Sequence, residues 1–442
     1  MTVITRFAPS PTGRLHVGNV RTALLNWLVA RQAGGRFVLR IDDTDRERSR
    51  PEHVVAIEDD LSWLGLAWDD RAVQSERGPI YEAAFDRLRE AGLAYPCYET
   101  ADELAAMRAR QRASGKPPVY DRSALALSEL DRGKLKHEGR VPYWRFRLPD
   151  APIAWHDAVQ GEKRIPTGAV SDPVIRREDA SVTYLFASAV DDAAMAVTDV
   201  VRGEDHVTNT AAQIAIIRAL GKPVPRFAHL PLLLDDQGAG LSKRLGSAGV
   251  AAFRERGIEP GALLGVLATL GTGKAPPAVA APEGLLDGFD LASFGRAPVR
   301  FDPDEVRHLN ERLVHGLPYE AVRQRVGVDE AFWGDIRANL ERPEEAAAWW
   351  RLCTEPLEPA IGPDDRAFLD QAADLLPETD PVAPAYDDWI AALKTASNRK
   401  GKALFMPLRL ALTAREHGPP LPVLLTHMPR SRVLGRLLGR VA

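Results

Sequence analysis

The chain has 442 residues, 45% of them apolar and 27% charged, with a formal net charge of −4. This is the composition of an ordinary globular protein, and the length allows two to four packed modules at roughly 100–200 residues each. Two cysteines, Cys97 and Cys353, exclude a disulfide framework and an all-cysteine metal site; no apolar run suits a signal peptide or a membrane span, so a reducing cytoplasm is the expected location.

Val3 to Phe7 form a short β-prone run, ended by the breakers of APSPTG. A helical pattern follows, with Val17, Leu24 and Leu28 on one side, and closes at Gly34-Gly35. FVLRI, Phe37 to Ile41, is a near-continuous apolar run, the pattern of a strand buried on both faces. Strand, helix and strand in this order make a βαβ unit, hence a parallel sheet with a right-handed crossover. Pro51 suits the first position of a helix that carries Val54, Ile57, Leu61 and Leu64.

From 96 to 183 the pattern changes to short mixed segments such as VPYWRFRL and VIRREDASVTYLF, which reads as an α/β insertion. Parallel-sheet signals return with AMAVTDVVRG (194–203), a helix over 208–220, and HLPLLLD (229–235). One Rossmann-type α/β domain interrupted in sequence is therefore predicted. Beyond about 245 the chain turns mostly helical, and KAPPAVAAP (274–282) reads as a surface loop.

Charge is unevenly spread. Residues 341–390 hold 13 acidic and 3 basic side chains, whereas 397–442 hold 9 basic ones (Arg399, Lys400, Lys402, Arg409, Arg415, Arg430, Arg432, Arg436 and Arg440) against Glu416 alone. Two readings stand: a footprint for a phosphate backbone, or a solvated basic helix face.

Two motifs carry chemistry. SPTGRLHVGN (10–19) lies between a strand and a helix N-terminus, where backbone N–H groups and the helix dipole favour phosphate. His16 and Asn19 can donate to phosphate oxygens, and Gly18 would admit a nucleotide close to the backbone. Neither a P-loop nor a dinucleotide fingerprint follows the first strand. GLSKR (240–244) follows the LPLLLD strand, and Lys243 and Arg244 could fold back over the phosphates.

The two motifs together resemble the paired signatures of class I aminoacyl-tRNA synthetases. RFAPSPTGRLHVGNVRTALLNWLVAR and FVLRIDDTDRERS resemble the glutamyl-tRNA synthetase branch, and the likeness continues through VTYLFASAVDD, TDVVRGEDHVTNTAAQI, HLPLLLDDQGAGLSKRLGS and NRKGKALFMPLRLALTAREHGP. By that resemblance His16, Gly18, Asn19, Lys243 and Arg244 bind ATP, with His16, Asn19 and Lys243 acting in catalysis. Arg6, Ala8, Ser10, Asp42, Tyr184, Ser188, Arg202 and His206 match the amino-acid pocket. Glutamate carries two carboxylates and one ammonium, so Arg6 and Arg202 suit the first and Asp42 the second; which arginine meets which carboxylate is left open. The alternatives are a strand-end surface arginine and a turn-capping Asp42–Asp43 pair.

The resemblance also implies a division into 1–95 and 184–238 as two halves of a Rossmann catalytic domain, 96–183 as an acceptor-end insertion, 239–310 as a stem-contact region, and 311–442 as a helical anticodon-binding region. Arg399, Lys400, Lys402 and Arg409 are its candidate tRNA contacts. Three departures stand out: Gly240 replaces a usual lysine, Ser188 replaces an asparagine seen in some relatives, and only Cys97 is left of a cysteine cluster that holds zinc in some, so zinc is not expected.

The implied reaction is ATP-dependent ligation of glutamate to tRNA-Glu through glutamyl-adenylate, with Mg2+ as the ATP counter-ion, tRNA needed for the first step, no membrane partner, and a monomeric chain. Alternatives are charging of tRNA-Gln, a catalytically inactive tRNA-binding module, a short tRNA-modifying paralogue or a small-molecule nucleotidyltransferase. The retained His16, Asn19, Lys243 and Arg244 disfavour the inactive module, and the helical half disfavours the last two. Removing one preorganised donor to a phosphate commonly costs about 10²–10³ in rate. Lys243→Ala is therefore expected to lose that much in pyrophosphate exchange, and near-wild-type exchange would count against the assignment.

Overall fold

Strands β1 (Ile4–Phe7) and β2 (Arg36–Ile41) lie side by side in parallel, in register from Ile4 opposite Arg36 to Phe7 opposite Leu39. Parallel neighbours cannot be joined by a tight turn, and helix α1 (Val17–Gln32) makes the crossover. The computed structural model describes residues 2–166, 168–235, 238 and 249–442. α1 is buried on more sides than its sequence pattern promises: Val17, Val20, Leu24, Leu25, Trp27 and Leu28 are all in the core. Helix α2 (Pro51–Trp63) does begin at Pro51, and β3 (Asp70–Val73) then extends the sheet beside β2, again in parallel.

After α3 (Gly78–Glu90) come β4 (Ala94–Cys97), α4 (Ala101–Ala113) and α5 (Glu129–His137). α4 and α5 start from capping boxes, Thr100 with Glu103 and Ser128 with Asp131. Four strands follow: β5 (Tyr143–Phe146), β6 (Ile153–Asp157), β7 (Gly161–Ile165) and β8 (Val174–Arg176). β4, β5 and β8 form an antiparallel sheet of their own. The β6–β7 hairpin does not join it. β6 alternates buried and exposed residues, with Ile153, Trp155 and Asp157 inward.

The parallel pattern resumes with α6 (Tyr184–Ala194), β9 (Asp199–Gly203), α7 (Val207–Ala219) and β10 (Arg226–Leu230). β10 pairs in parallel with β9 on one side and β6 on the other. Part of 96–183 thus belongs to the parallel sheet. β1 meets β9 through Thr198, whose N–H donates to Ile4 O at 2.9 Å and whose hydroxyl accepts from Ile4 N at 2.8 Å. Asn26 of α1 satisfies the nearby Val201 backbone, donating to its carbonyl at 2.8 Å and accepting from its N–H at 3.4 Å. Buried backbone groups need such partners.

The strand over 229–235 splits in two: β10 ends at Leu230, and β11 (Leu233–Leu234) leaves to pair with β12 (Val299–Arg300). Between these two lie α8 (Val250–Glu255) and α9 (Pro260–Thr269). Residues 274–281 form no helix or strand, as the loop reading expects.

The chain divides into two units, Met1–Val306 and Arg307–Ala442. The second is helical, with Lys402–Thr413 and Arg430–Leu437 among its helices. Its acidic and basic runs meet each other. Arg399 pairs with Asp365 at 2.6 Å and Arg430 with Glu378 at 2.9 Å. Arg436 is fully buried and donates to the carbonyls of Leu412, Glu355 and Ala442. Much of the basic run therefore holds the unit together instead of facing outward.

Gly261 is required by close approach. A Cβ on Gly261 of α9 would lie 1.7 Å from Val279 O, in the proline-rich loop. Gly261→Ala is expected to destabilise the first unit by about 1–3 kcal/mol, the usual range for overpacking, read as a lowered midpoint in urea unfolding.

Candidate functional site

The carboxyl ends of the parallel strands bring together side chains that are far apart in sequence. Arg6 belongs to β1, Arg40 to β2 with Asp42 just beyond it, and Arg202 to β9. Tyr184 and Ser188 come from the first turns of α6, and His206 immediately precedes α7. Ligands in open α/β sheets bind at this edge. The sequence-predicted pocket residues Arg6, Asp42, Tyr184, Ser188, Arg202 and His206 therefore share one place.

Arg40, at 0% exposure, is the hub. Its Nε donates to Asp42 Oδ1 at 2.7 Å, Nη2 to Asp42 Oδ2 at 3.2 Å and to Ser188 Oγ at 3.1 Å, and Nη1 to Asp192 Oδ1 at 2.6 Å. Arg6 Nε donates to the same Asp192 oxygen at 3.1 Å. Burial pushes the Asp42 carboxyl up to about 6 against the pull of Arg40. Burial also works against an ionised Asp192, but Arg6 and Arg40 outweigh it and hold that carboxyl below the usual range. Beside it, Asp191 accepts from Arg77, Gln74 and Tyr81 at 2.7–3.0 Å.

Asp42, read from sequence as the partner for an ammonium, is thus already engaged by Arg40. Its N–H donates to Pro9 O at 3.0 Å, which ties the Ala8–Ser10 turn to the same edge, with Ser10 exposed.

Arg202 is held differently. Its Nε faces His229 Nε2 at 3.3 Å, and Nη2 donates to Thr210 Oγ1 and Gln213 Oε1, each at 2.7 Å. None of these acceptors is a carboxylate. Nη1 is buried without a partner among the described residues. Burial lowers the guanidinium to about 10, with the positive field of Arg6 adding to this, yet it stays charged at neutral pH. Tyr184 lies in the field of Asp42, Arg202, Arg6 and Arg40; burial, then Asp42, raises its phenol. Its ring and that of His206 are 5.9 Å apart. Burial, then Arg202, lowers the His206 imidazole.

At the N-terminus of α1, His16 is the cap. Its Nδ1 accepts from Gly18 N at 3.0 Å and Asn19 N at 3.4 Å, while Asn19 Oδ1 accepts from His16 N at 3.2 Å. A ring nitrogen that accepts two N–H bonds carries no proton, so in the neutral ring the proton sits on Nε2 and makes it a donor. Burial lowers the pKa and favours this neutral form. Gly18 has a role that the sequence did not reveal: a Cβ there would lie 2.8 Å from His16 Cε1.

Lys243 and Arg244, with Gly240, lie outside the described residues. The first described residue after them, Gly249, forms a β-bridge with His16, and Val250 N donates to Leu15 O at 3.2 Å. The chain that leaves at Asp235 thus comes back to the His16 turn.

Arg40, Asp191 and Asp192 were missed by sequence reasoning, although signals existed. An arginine inside the buried run FVLRI must find partners, and ASAVDD offers two acids at the end of an apolar stretch. His229, Asp157 and Gln213 had no such signal. Of the tRNA candidates, Arg399 is paired with Asp365 and stacks on Phe368, and Arg409 donates to Pro419 O at 2.6 Å; Lys400 and Lys402 are exposed. Cys97 is buried beside Tyr120, and burial pushes its thiol up to about 12, far from a thiolate ligand.

Comparison with known proteins gives a consistent result. The family described as "tRNA synthetases class I (E and Q), catalytic domain" matches residues 2–302, and "Anticodon binding domain" matches 320–439. Glutamate–tRNA ligase 1 of Rhizorhabdus wittichii is 54% identical, over 98% of this chain and 99% of that protein. Glutamate–tRNA ligase 2 of Xanthobacter autotrophicus is 52% identical, over 99% and 97%. A crystal structure of a glutamate tRNA ligase from Elizabethkingia meningosepticum in complex with its amino acid superposes with a TM-score of 0.82 at 26% identity, covering 99% of this chain and 98% of that one. A parallel sheet with paired arginines at its carboxyl edge, a histidine-capped helix beside them and a helical second unit thus meet a full-length sequence match: the chain belongs to the class I tRNA synthetase family of the glutamate and glutamine branch.

Proposed function

We propose that the chain is a glutamate–tRNA ligase that uses ATP to activate glutamate at the carboxyl edge of the parallel sheet. The observation that carries this is Arg202: a buried guanidinium that, among the described residues, has neutral partners only and one nitrogen unpartnered is a preformed site for an anion. Arg6 lies in the same field and offers a second cation. Two carboxylates on one small ligand suit this pair, and the ammonium would meet Asp42, Tyr184 and His206 on the other side.

In the first step an oxygen of the glutamate α-carboxylate attacks the α-phosphorus of ATP and pyrophosphate leaves. In the second a terminal ribose hydroxyl of the tRNA attacks the glutamyl carbonyl and AMP leaves. Neither step requires a protein nucleophile. Both gain from fixed donors where phosphate charge grows. His16 Nε2–H and the N-terminus of α1 suit that role, with Asn19, Lys243 and Arg244 as further donors. Magnesium would arrive with ATP on its phosphate oxygens; Asp42 and Asp192 are already committed to arginines and do not suit a protein-held ion. The antiparallel sheet and its helices within 96–183 would take the acceptor end, 239–310 the stem, and the helical unit the anticodon, with Lys400 and Lys402 the better placed of its candidate contacts.

The purified chain is expected to charge tRNA-Glu with labelled glutamate and not with glutamine. Charging of tRNA-Gln by glutamate would redirect the choice of tRNA, and failure with both tRNAs would overturn the reading. Gly18→Ala is expected to push the His16 ring off its cap and lower kcat/KM for ATP by about 10²-fold. Unchanged ATP kinetics in that variant would remove His16 from the nucleotide site.

A further inference from the structure

Arg202 and His229 are register partners on neighbouring parallel strands, so their side chains rise from the same level of the sheet. His229 and Asp157 are both fully buried. The protonation pattern follows from the donors. Arg202 Nε–H can only donate, so His229 Nε2, which it faces at 3.3 Å, must accept. The ring proton then sits on Nδ1, which donates to Asp157 Oδ2. Asp157 is a carboxylate by the same count, because its Oδ1 also accepts N–H bonds from His229, Val159 and Gln160 at 2.8–3.1 Å. Asp157 is brought there by the β6–β7 hairpin, from the stretch that seemed from sequence to be a separate insertion.

The chain of bonds therefore runs from Asp157 through neutral His229 to Arg202, and Thr210 and Gln213 fix the other side of the guanidinium. Its consequence is chemical. A carboxylate in direct contact would orient Arg202 equally well but would neutralise it. A neutral imidazole orients it and leaves its charge for a ligand, and the Asp157 charge is kept one ring away. Arg40 illustrates the opposite case, being tied directly to both Asp42 and Asp192.

We propose that His229 and Asp157 are positioning residues for Arg202, aligning its unpartnered Nη1 for a carboxylate of the bound amino acid while leaving its charge uncompensated. This rests on Arg202 belonging to the glutamate pocket. A positioning role affects binding of glutamate and not of ATP.

Steady-state aminoacylation of tRNA-Glu by the full chain separates the possibilities. His229→Asn keeps a donor near the Nδ1 position and loses the acceptor for Arg202, whereas His229→Gln keeps an acceptor near Nε2. Loss of a charged-group hydrogen bond corresponds to roughly 10- to 100-fold. His229→Asn is expected to raise KM for glutamate by that factor, with KM for ATP and kcat at saturating glutamate within about threefold of wild type, and His229→Gln to recover most of the loss. Should His229→Asn fail to fold, as its melting curve would reveal, Thr210→Val removes a second Arg202 acceptor and is expected to raise KM for glutamate likewise. An unchanged KM in the folded variant, or equal falls in kcat for Asn and Gln without a KM effect, overturns the proposal. Arg202→Ala tells the two levels apart. If it raises KM and His229→Asn does not, only the positioning role fails; if it too leaves KM unchanged, the glutamate-pocket reading fails with it.

Discussion

Everything at the carboxyl edge of the sheet depends on how buried arginines are balanced. Taking a guanidinium out of water costs several kcal/mol unless partners replace the water, and Arg6, Arg40 and Arg202 are all at least nine-tenths buried. Arg40 is matched by Asp42 and Asp192 in direct contact, and Arg6 shares Asp192. Arg202 is met by neutral groups alone. Arg40 anchors a rigid floor, and Arg202 keeps its charge in reserve. A site with its dipoles and charges already in place spends nothing on reorganisation when the substrate arrives.

The same economy governs the nucleotide side. His16 both caps α1 and, through the bonds that its Nδ1 accepts, is forced to present a donor at Nε2. Capping fixes which ring nitrogen can donate, and Gly18 is what makes room for this arrangement. The β-bridge from His16 to Gly249 joins this turn to the chain just past the LSKR segment. Two motifs more than two hundred positions apart are thereby linked through a described contact next to each of them.

The helical unit teaches a caution about reading charge along a chain. Its acidic and basic runs look like separate electrostatic surfaces in the sequence. In space Arg399 finds Asp365, Arg430 finds Glu378, and Arg436 is swallowed by backbone carbonyls. Long cationic side chains satisfy helix ends and loop carbonyls as readily as phosphates. What remains outward, Lys400 and Lys402 among it, is smaller than the count of nine basic residues suggests.

The sequence by itself determined the βαβ start, the helix beginning at Pro51 and the return of parallel strands after the insertion, because strand burial, helix caps and breaker residues act over a few neighbouring positions. The family signatures add Arg6, His16 and Arg202 for the same reason: each sits at a fixed offset from a strand end or helix start. Tertiary structure alone decided that β6 joins the parallel strands beside β10, that Asp192 links Arg40 to Arg6, and that Asp157 and His229 stand behind Arg202. Asp157 with His229 and Arg40 with Asp192 join segments 72 and 152 residues apart, and no local pattern encodes which buried polar group will meet which; only the packing of strands side by side brings an acceptor to a donor that cannot be left unmet.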